Sequence, residues 1–348
     1  MLRLNIRGAV LLTVVVVVLI LSILHLQWAE QSPFNNLRLP DKFDFRKPEV
    51  LEPDIADSES SAANATLGFQ SILALSQGTK WRVDGLRAAG QASGITVTIP
   101  PQPKWSEPFI KAFEEFGPVE AHGAAMAWLG HIDLLKFVIL NGWGSALILE
   151  DDMDWDVDIR KQTPSIANAV VKLTGGRRTD RAPYGLEWDV MWLGHCSDPP
   201  PNEKGTIVWF KDNTTIPLEK YRGLNPHIKE VAKEGQRGVH HSINPVCTFA
   251  YAVSAAGARK TLAHASLGHG GAFDLMLMHA CQDKVLDCVS VNPEIFNPYH
   301  TAEGDTSEVR AGDNNAEFNA DAGKSKGWTD NILKSARCAG LFYETCLQ

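Results

Sequence analysis

Short apolar runs separated by longer amphipathic stretches set the pattern of this chain of 348 residues. Residues 70–76 (QSILALS) have the length and character of a buried strand, and residues 81–93 carry helical spacing. Residues 94–100 (GITVTIP) alternate as a second strand, which completes the start of a β-α-β unit. Residues 101–118 are rich in loop formers, with room for one short helix. Residues 120–140 place Ala125, Leu129, Leu134 and Val138 at helical spacing, and residues 145–149 (SALIL) follow as an apolar strand. A helix is predicted over 164–173, then strands at 187–194 and 206–210. A strand at 247–253, a helix from 255 to 266 and a last strand at 286–291 complete the pattern. Alternating strands and helices predict one α/β domain, a mostly parallel sheet flanked by helices. No internal repeat is visible.

The N-terminus breaks that pattern. Residues 9–24 are apolar except for Thr13 and Ser22, and Arg3 and Arg7 precede them. Extended to Leu26, the stretch spans about 27 Å as a helix, close to the thinner bilayers of the early secretory pathway. No small-x-small cleavage site follows Leu26, so the expectation is an uncleaved transmembrane signal anchor over 9–26. Residues 1–8 then form a cytoplasmic tail, and the rest of the chain lies in the lumen. Pro33, Pro40, Pro48 and Pro53, with the polar run 54–61, mark residues 27–66 as an extended stem. The globular part is expected over 67–348.

The compartment fits other features. Asn64-Ala65-Thr66 and Asn213-Thr214-Thr215 are glycosylation acceptors. The six cysteines (Cys196, Cys247, Cys281, Cys288, Cys338, Cys346) all follow the anchor, in an oxidising space, and no CxxC zinc pattern occurs. Their pairing is open. The formal charge of −8 argues against nucleic acid as a partner, and an acidic protein that handles a phosphate-bearing ligand needs a metal between the two.

The chemistry concentrates in residues 150–158, EDDMDWDVD, where six of nine side chains are carboxylates. Crowded carboxylates raise each other's pKa values unless a cation sits among them. They follow the apolar strand directly, and the carboxyl end of a strand is where α/β sheets bind ligands. A hard divalent cation with oxygen ligands is the simplest relief. An EF-hand is excluded: counted from Asp152, the sixth position is Val157 and the twelfth Thr163, where glycine and glutamate are needed. Asp154, Asp156 and Asp158 have a competing reading as acids approaching a helix N-terminus. Glu150 and Asp151, which touch the strand, do not.

Residues 146–152 (ALILEDD) with Asp154-Trp155-Asp156 resemble the signature of family 25 glycosyltransferases, especially fungal members. Residues 188–196 (WDVMWLGHC) and 247–254 (CTFAYAVS) resemble two further blocks in the same order. The likeness runs from about Leu67 to the C-terminus. It implies a GT-A-like, Rossmann-type fold with a nucleotide-sugar donor at the carboxyl ends of the strands, and manganese or magnesium held against the donor diphosphate. Carried over, Asp152 is the metal ligand, and Glu150 or Asp151 contacts metal or ribose. Arg82 stands at a basic position of the loop after the first strand, and Thr79 belongs to the same donor-binding loop. Lys80 and Gly78 depart from the family's acid and arginine there. The family's Ser-His pair appears as Gly130-His131, which brings His131 to the donor site. Asp274 is the candidate base for the acceptor hydroxyl, and His300 a late metal ligand. His195 is expected to face the site or to pack beside Cys196. Trp155, Trp188 and Trp192 are expected in the core, with Trp155 also near enough for an acceptor ring.

The reading is a type II membrane glycosyltransferase of the Golgi or endoplasmic reticulum. It moves a hexose from a nucleotide-sugar donor to a hydroxyl of a glycan or glycoprotein. Its rival is a catalytically silent protein of the same fold that binds glycans or partner proteins. A metal-dependent hydrolase ranks below both, because the sequence lacks a two-metal ligand pattern.

Overall fold

The computed structural model describes residues 61–346, apart from 120, 204, 225–226, 269, 304–306, 308, 310–322 and 324. The expected tail, anchor and most of the stem lie outside the described residues. Within them, Ala62 is already fully buried and its carbonyl accepts a hydrogen bond from Thr163 Oγ1 at 2.7 Å, so packing begins ahead of Leu67.

The central sheet is built from β1 (Ser71–Leu75), β2 (Val97–Thr98), β3 (Ser145–Glu150), β5 (Val190–Gly194), β6 (Ile207–Lys211), β7 (Gln236–His241), β8 (Ala250–Ser254) and β9 (Cys288–Asn292). Their order is β2-β1-β3-β8-β5-β9-β7-β6. Only β8 and β7 run against the rest, so the sheet is mostly parallel in strand direction. A second, three-stranded antiparallel sheet joins β4 (Met153–Trp155), β10 (Phe296–His300) and β11 (Trp328–Thr329).

Two cores sandwich the central sheet, and the strands show why. Ile72, Ala74, Leu147, Leu149, Met191, Leu193, Ala250 and Ala252 face one core. Their neighbours Leu73, Ala146, Ile148, Val190, Trp192, Tyr251 and Val253 face the other. Successive side chains of a strand point to opposite faces, so a strand buried on both sides reads as a continuous apolar run.

Helices cover both faces. On the first lie α1 (Lys80–Ser93) and α4 (Ile159–Thr174), which supply Leu86, Ala89, Ile166 and Val170. On the second lie α3 (His122–Leu140) and α7 (Phe273–Gln282), which supply Trp128, Leu134, Met276 and Leu277. By length and composition α3 is apolar enough to cross a membrane, but half of it is buried here as a core helix. The remaining helices are α2 (Glu107–Phe116), the single turn α5 (Ile228–Val231), α6 (Ala255–Ala265) and α8 (Ala336–Phe342).

Element by element, most expectations hold to within a few residues. The helix expected over 164–173 starts earlier, at Ile159, with Pro164 inside it rather than at its start. The strand expected over 247–253 begins only at Ala250, since Cys247 takes a positive φ of 68°. The strand at 286–291 is not the last, because β10 and β11 follow it. The cysteines pair as Cys196–Cys247, Cys281–Cys288 and Cys338–Cys346, with none free.

The later aspartates of the acidic run are structural. Buried Asp154 accepts hydrogen bonds from the amides of Trp155 (2.8 Å) and Arg337 (2.9 Å) through Oδ1. Its Oδ2 takes the hydroxyls of Thr329 (2.6 Å) and Ser335. Asp156 binds the amides of Asp158 and Lys334, and Asp158 pairs with Lys161 and Lys334. These acids fasten the C-terminal segment to the main domain rather than holding a ligand. Asp154→Ala is expected to lower unfolding free energy by about 3 kcal/mol, since it orphans four buried donors at once. Urea denaturation of the variant checks this, and an unchanged midpoint would contradict the anchoring role.

Candidate functional site

The loops at the carboxyl ends of β1, β2 and β3 enclose a cavity of about 820 Å³. Parallel strands deliver these loops to one edge of the sheet, where α/β folds bind ligands. Glu150, Asp151, Asp152, Arg82, His131 and Asp274 all line it. Six of the residues singled out from sequence therefore converge on one space, from positions up to 192 apart in the chain.

Glu150 ends β3, and Asp151 and Asp152 form the turn into β4. Arg82, on α1, reaches across to both: its Nη1 lies 2.7 Å from Asp151 Oδ1 and 3.0 Å from Asp152 Oδ2. Arg82 and Asp151 are buried, at 4% and 2% exposure. Behind the turn, fully buried Arg337 donates from Nη2 to the carbonyls of Asp151 (2.7 Å) and Met153 (3.1 Å). The carbonyl of Asp152 takes the Tyr299 amide at 2.9 Å. The acidic turn is thus held rigidly from the back, with its carboxylates directed forward.

One arginine does not neutralise three carboxylates. Burial, and then the Asp152 charge, pushes the Glu150 carboxyl up to about 8. Burial lifts Asp151 to about 6, against the pull of Arg82. Asp152 Oδ1 is buried and accepts no hydrogen bond. An orphaned carboxylate oxygen beside two carboxyls pressed toward the neutral form suits a hard cation. Among the described residues, no group of three or more His, Cys, Asp or Glu side chains is arranged to hold a metal by itself.

A buried hydrogen-bond chain steadies Glu150. Tyr251 Oη lies 3.1 Å from His131 Nδ1, His131 Nε2 lies 3.3 Å from Thr248 Oγ1, and Thr248 donates to Glu150 Oε1 at 3.1 Å. One polarity satisfies all three bonds: Tyr251 donates to Nδ1, and Nε2–H donates to Thr248. Burial lowers the His131 pKa to about 3, which keeps the ring neutral, and it stacks on Phe273 at 4.5 Å. His131 is therefore a neutral support in the wall of the site.

Asp274, in the first turn of α7, lines the cavity as well. Its Oδ2 accepts the Cys247 amide and its Oδ1 the Leu275 amide, each at 2.9 Å. The Cys196–Cys247 disulfide holds that amide in place.

Other expected residues lie elsewhere. Thr79 is the N-cap of α1, beside the lining residues Gln77 and Gly78 but not itself in the wall. His300, on β10, stacks on Trp328 at 5.3 Å with Nε2 3.7 Å from Asp330 Oδ2, and the structure does not bring it to the cavity. Trp155 is fully buried and donates to Ser93 Oγ at 2.9 Å, which makes it core rather than a sugar platform. Trp188 and Trp192 are core as well. His195 is buried against the Val291 carbonyl, at 3.1 Å, away from the cavity wall. Sequence reasoning missed Thr248 as a ligand of Glu150, though it lies inside a block already singled out. It also missed Arg337, for which no sequence signal exists.

No protein-family model matches the chain. A rat (Rattus norvegicus) protein named "Probable inactive glycosyltransferase 25 family member 3" is 24% identical over 219 residues. The match covers 60% of this chain and 32% of that protein, so the chain spans about a third of its relative's length. The chain is distantly similar to a glycosyltransferase 25 family member, which agrees with a glycosyltransferase-type fold.

The raised carboxyls set a pH signature. The unfolded chain releases the Glu150 proton near its ordinary pKa while the folded chain keeps it to about 8, so stability falls as pH rises between these values. In chain freed of divalent cations, unfolding free energy is expected to decline from about pH 5 to 8. Glu150→Gln should flatten that slope. Denaturant titrations across this range decide it, and an unaltered slope in the variant would refute the burial of a charge-averse Glu150.

Proposed function

We propose that this chain is a divalent-metal-dependent glycosyltransferase that moves a hexose from a nucleotide-sugar donor to a hydroxyl of a glycan or glycoprotein. The observation that carries the proposal is the gathering of Glu150, Asp151 and Asp152 at the carboxyl end of β3, in a cavity large enough for a small-molecule ligand. The distant similarity to a glycosyltransferase 25 family member supports it.

A donor diphosphate cannot approach this wall without a cation between the like charges. Asp152 and Glu150 would hold manganese or magnesium, with donor phosphates completing a shell that magnesium typically builds from one or two carboxylates. Asp151 is engaged by Arg82. When bound, the ion stabilises the negative charge of the departing nucleoside diphosphate. Arg82 adds positive charge on the same side, and the His131–Thr248 chain keeps Glu150 in place. Asp274, steadied by two backbone amides, serves as base for the acceptor hydroxyl. His300 has no part in this scheme. Three disulfides and two acceptor sequons favour an oxidising lumen of the Golgi or endoplasmic reticulum, with residues 9–26 as the membrane anchor.

One observation favours the rival reading, a silent protein that binds glycans or partner proteins. Arg82 bridges two of the three carboxylates and partly neutralises the turn unaided; the similar rat protein is also named as probably inactive. The two readings separate in one assay, in which the detergent-purified chain is given a panel of nucleotide sugars with manganese or with a chelator. Metal-dependent release of nucleoside diphosphate is expected, and no release from any donor would leave the silent form. Asp152→Ala should lower turnover by about a thousandfold with the melting temperature unchanged. Retained activity would remove Asp152 from the site.

A further inference from the structure

The cavity has a wall that the acidic turn does not explain. Gln102, Lys104 and Trp105, on the loop that leaves β2, line it together with Ile99 and Pro103. Gln102 Oε1 is buried and accepts no hydrogen bond. Of the tryptophans among the described residues, Trp105 alone lines the cavity, whereas Trp81, Trp128, Trp143, Trp155, Trp192 and Trp328 all engage other rings or cations. Lys104 and Arg82 are the cavity's arginine and lysine side chains, and Arg82 is already committed to Asp151 and Asp152.

Position adds to the chemistry. Strand β1 separates β2 from β3, so the ends of β2 and β3 stand two interstrand spacings, about 10 Å, apart. Through Leu73, Thr98 stands level with Ile148, two residues before Glu150. Both loops therefore leave the same edge of the sheet at nearly the same height.

We infer that the 102–105 loop is the nucleoside end of the site, where Trp105 stacks on the base, Gln102 Oε1 accepts from a base N–H, and Lys104 meets the diphosphate. The inference rests on the donor reading above and adds to it the residues that recognise the nucleotide. An aromatic face suits any base, because every base offers a π surface. The unpartnered amide oxygen calls for a hydrogen-bond donor, which the N–H of a base edge supplies. Lys104 supplies a compact charge without the fixed geometry of a guanidinium.

Binding experiments on the detergent-purified chain separate the parts. The probes are uridine diphosphate, guanosine diphosphate and inorganic pyrophosphate, each with manganese, followed by calorimetry. Trp105→Ala is expected to weaken the preferred nucleoside diphosphate about tenfold, the weight of one base–aromatic stack, and to leave pyrophosphate within about twofold. Lys104→Ala should weaken both probes, while Trp105→Phe and Lys104→Arg should each recover most of the loss. Nucleoside diphosphate binding unchanged in Trp105→Ala or Lys104→Ala overturns the inference and leaves the transferase reading standing. So does an equal loss of pyrophosphate in Trp105→Ala, since a merely structural loop would behave that way. A wild-type chain that binds neither nucleoside diphosphate overturns both.

Discussion

The burial of adjacent carboxylates against one guanidinium is the constraint on which the site depends. Glu150, Asp151 and Asp152 occupy consecutive positions where β3 runs out of its apolar stretch, in surroundings that penalise charge. Arg82 meets two of them through a single nitrogen. Breaking a buried pair of this kind leaves an uncompensated charge, a cost of several kcal/mol. The pair therefore fixes α1 against the end of β3 and leaves the front of the turn electron-rich. That imbalance is what a cation would answer.

The back of the turn is closed by residues nearly two hundred positions downstream. Arg337 enters beneath it and caps two carbonyls, and Asp154 binds the segment that carries Arg337. The approach is close: a Cβ on Gly85 would lie 2.2 Å from Arg337 Nη1, and one on Gly340 would lie 2.4 Å from the Ala88 carbonyl. Glycine at these two places lets α8 press onto α1. The Cys338–Cys346 disulfide closes the end of the same segment. Half of the acidic run thus serves architecture, while the other half lines the cavity.

The segment at residues 247–248 follows similar logic at a smaller scale. Cys247 adopts a left-handed backbone, is tied to Cys196, and aims its amide at Asp274. The next residue, Thr248, turns its hydroxyl toward Glu150 and His131. One short segment therefore steadies both Glu150 and Asp274. The strand expected from residue 247 could not have done this, because a regular strand offers its amides to neighbouring strands.

The sequence by itself determined the layering and the place where carboxylates crowd at a strand end. Continuous apolar runs such as 145–149 read correctly as strands buried on both faces, and six carboxylates directly after such a run marked where charge would gather. Those are local signals, carried by neighbours in the chain. Which carboxylates line the cavity and which bind the chain itself was decided only by tertiary structure. Asp152 and Asp154 are alike in composition and spacing, yet Asp154 is saturated by Thr329, Ser335 and Arg337 while Asp152 keeps an oxygen without a partner. The same holds for the disulfide pairing, the placing of His300 outside the cavity, and the approach of Trp105 to it. Each depends on contacts between distant segments, and periodicity along the chain carries no record of those.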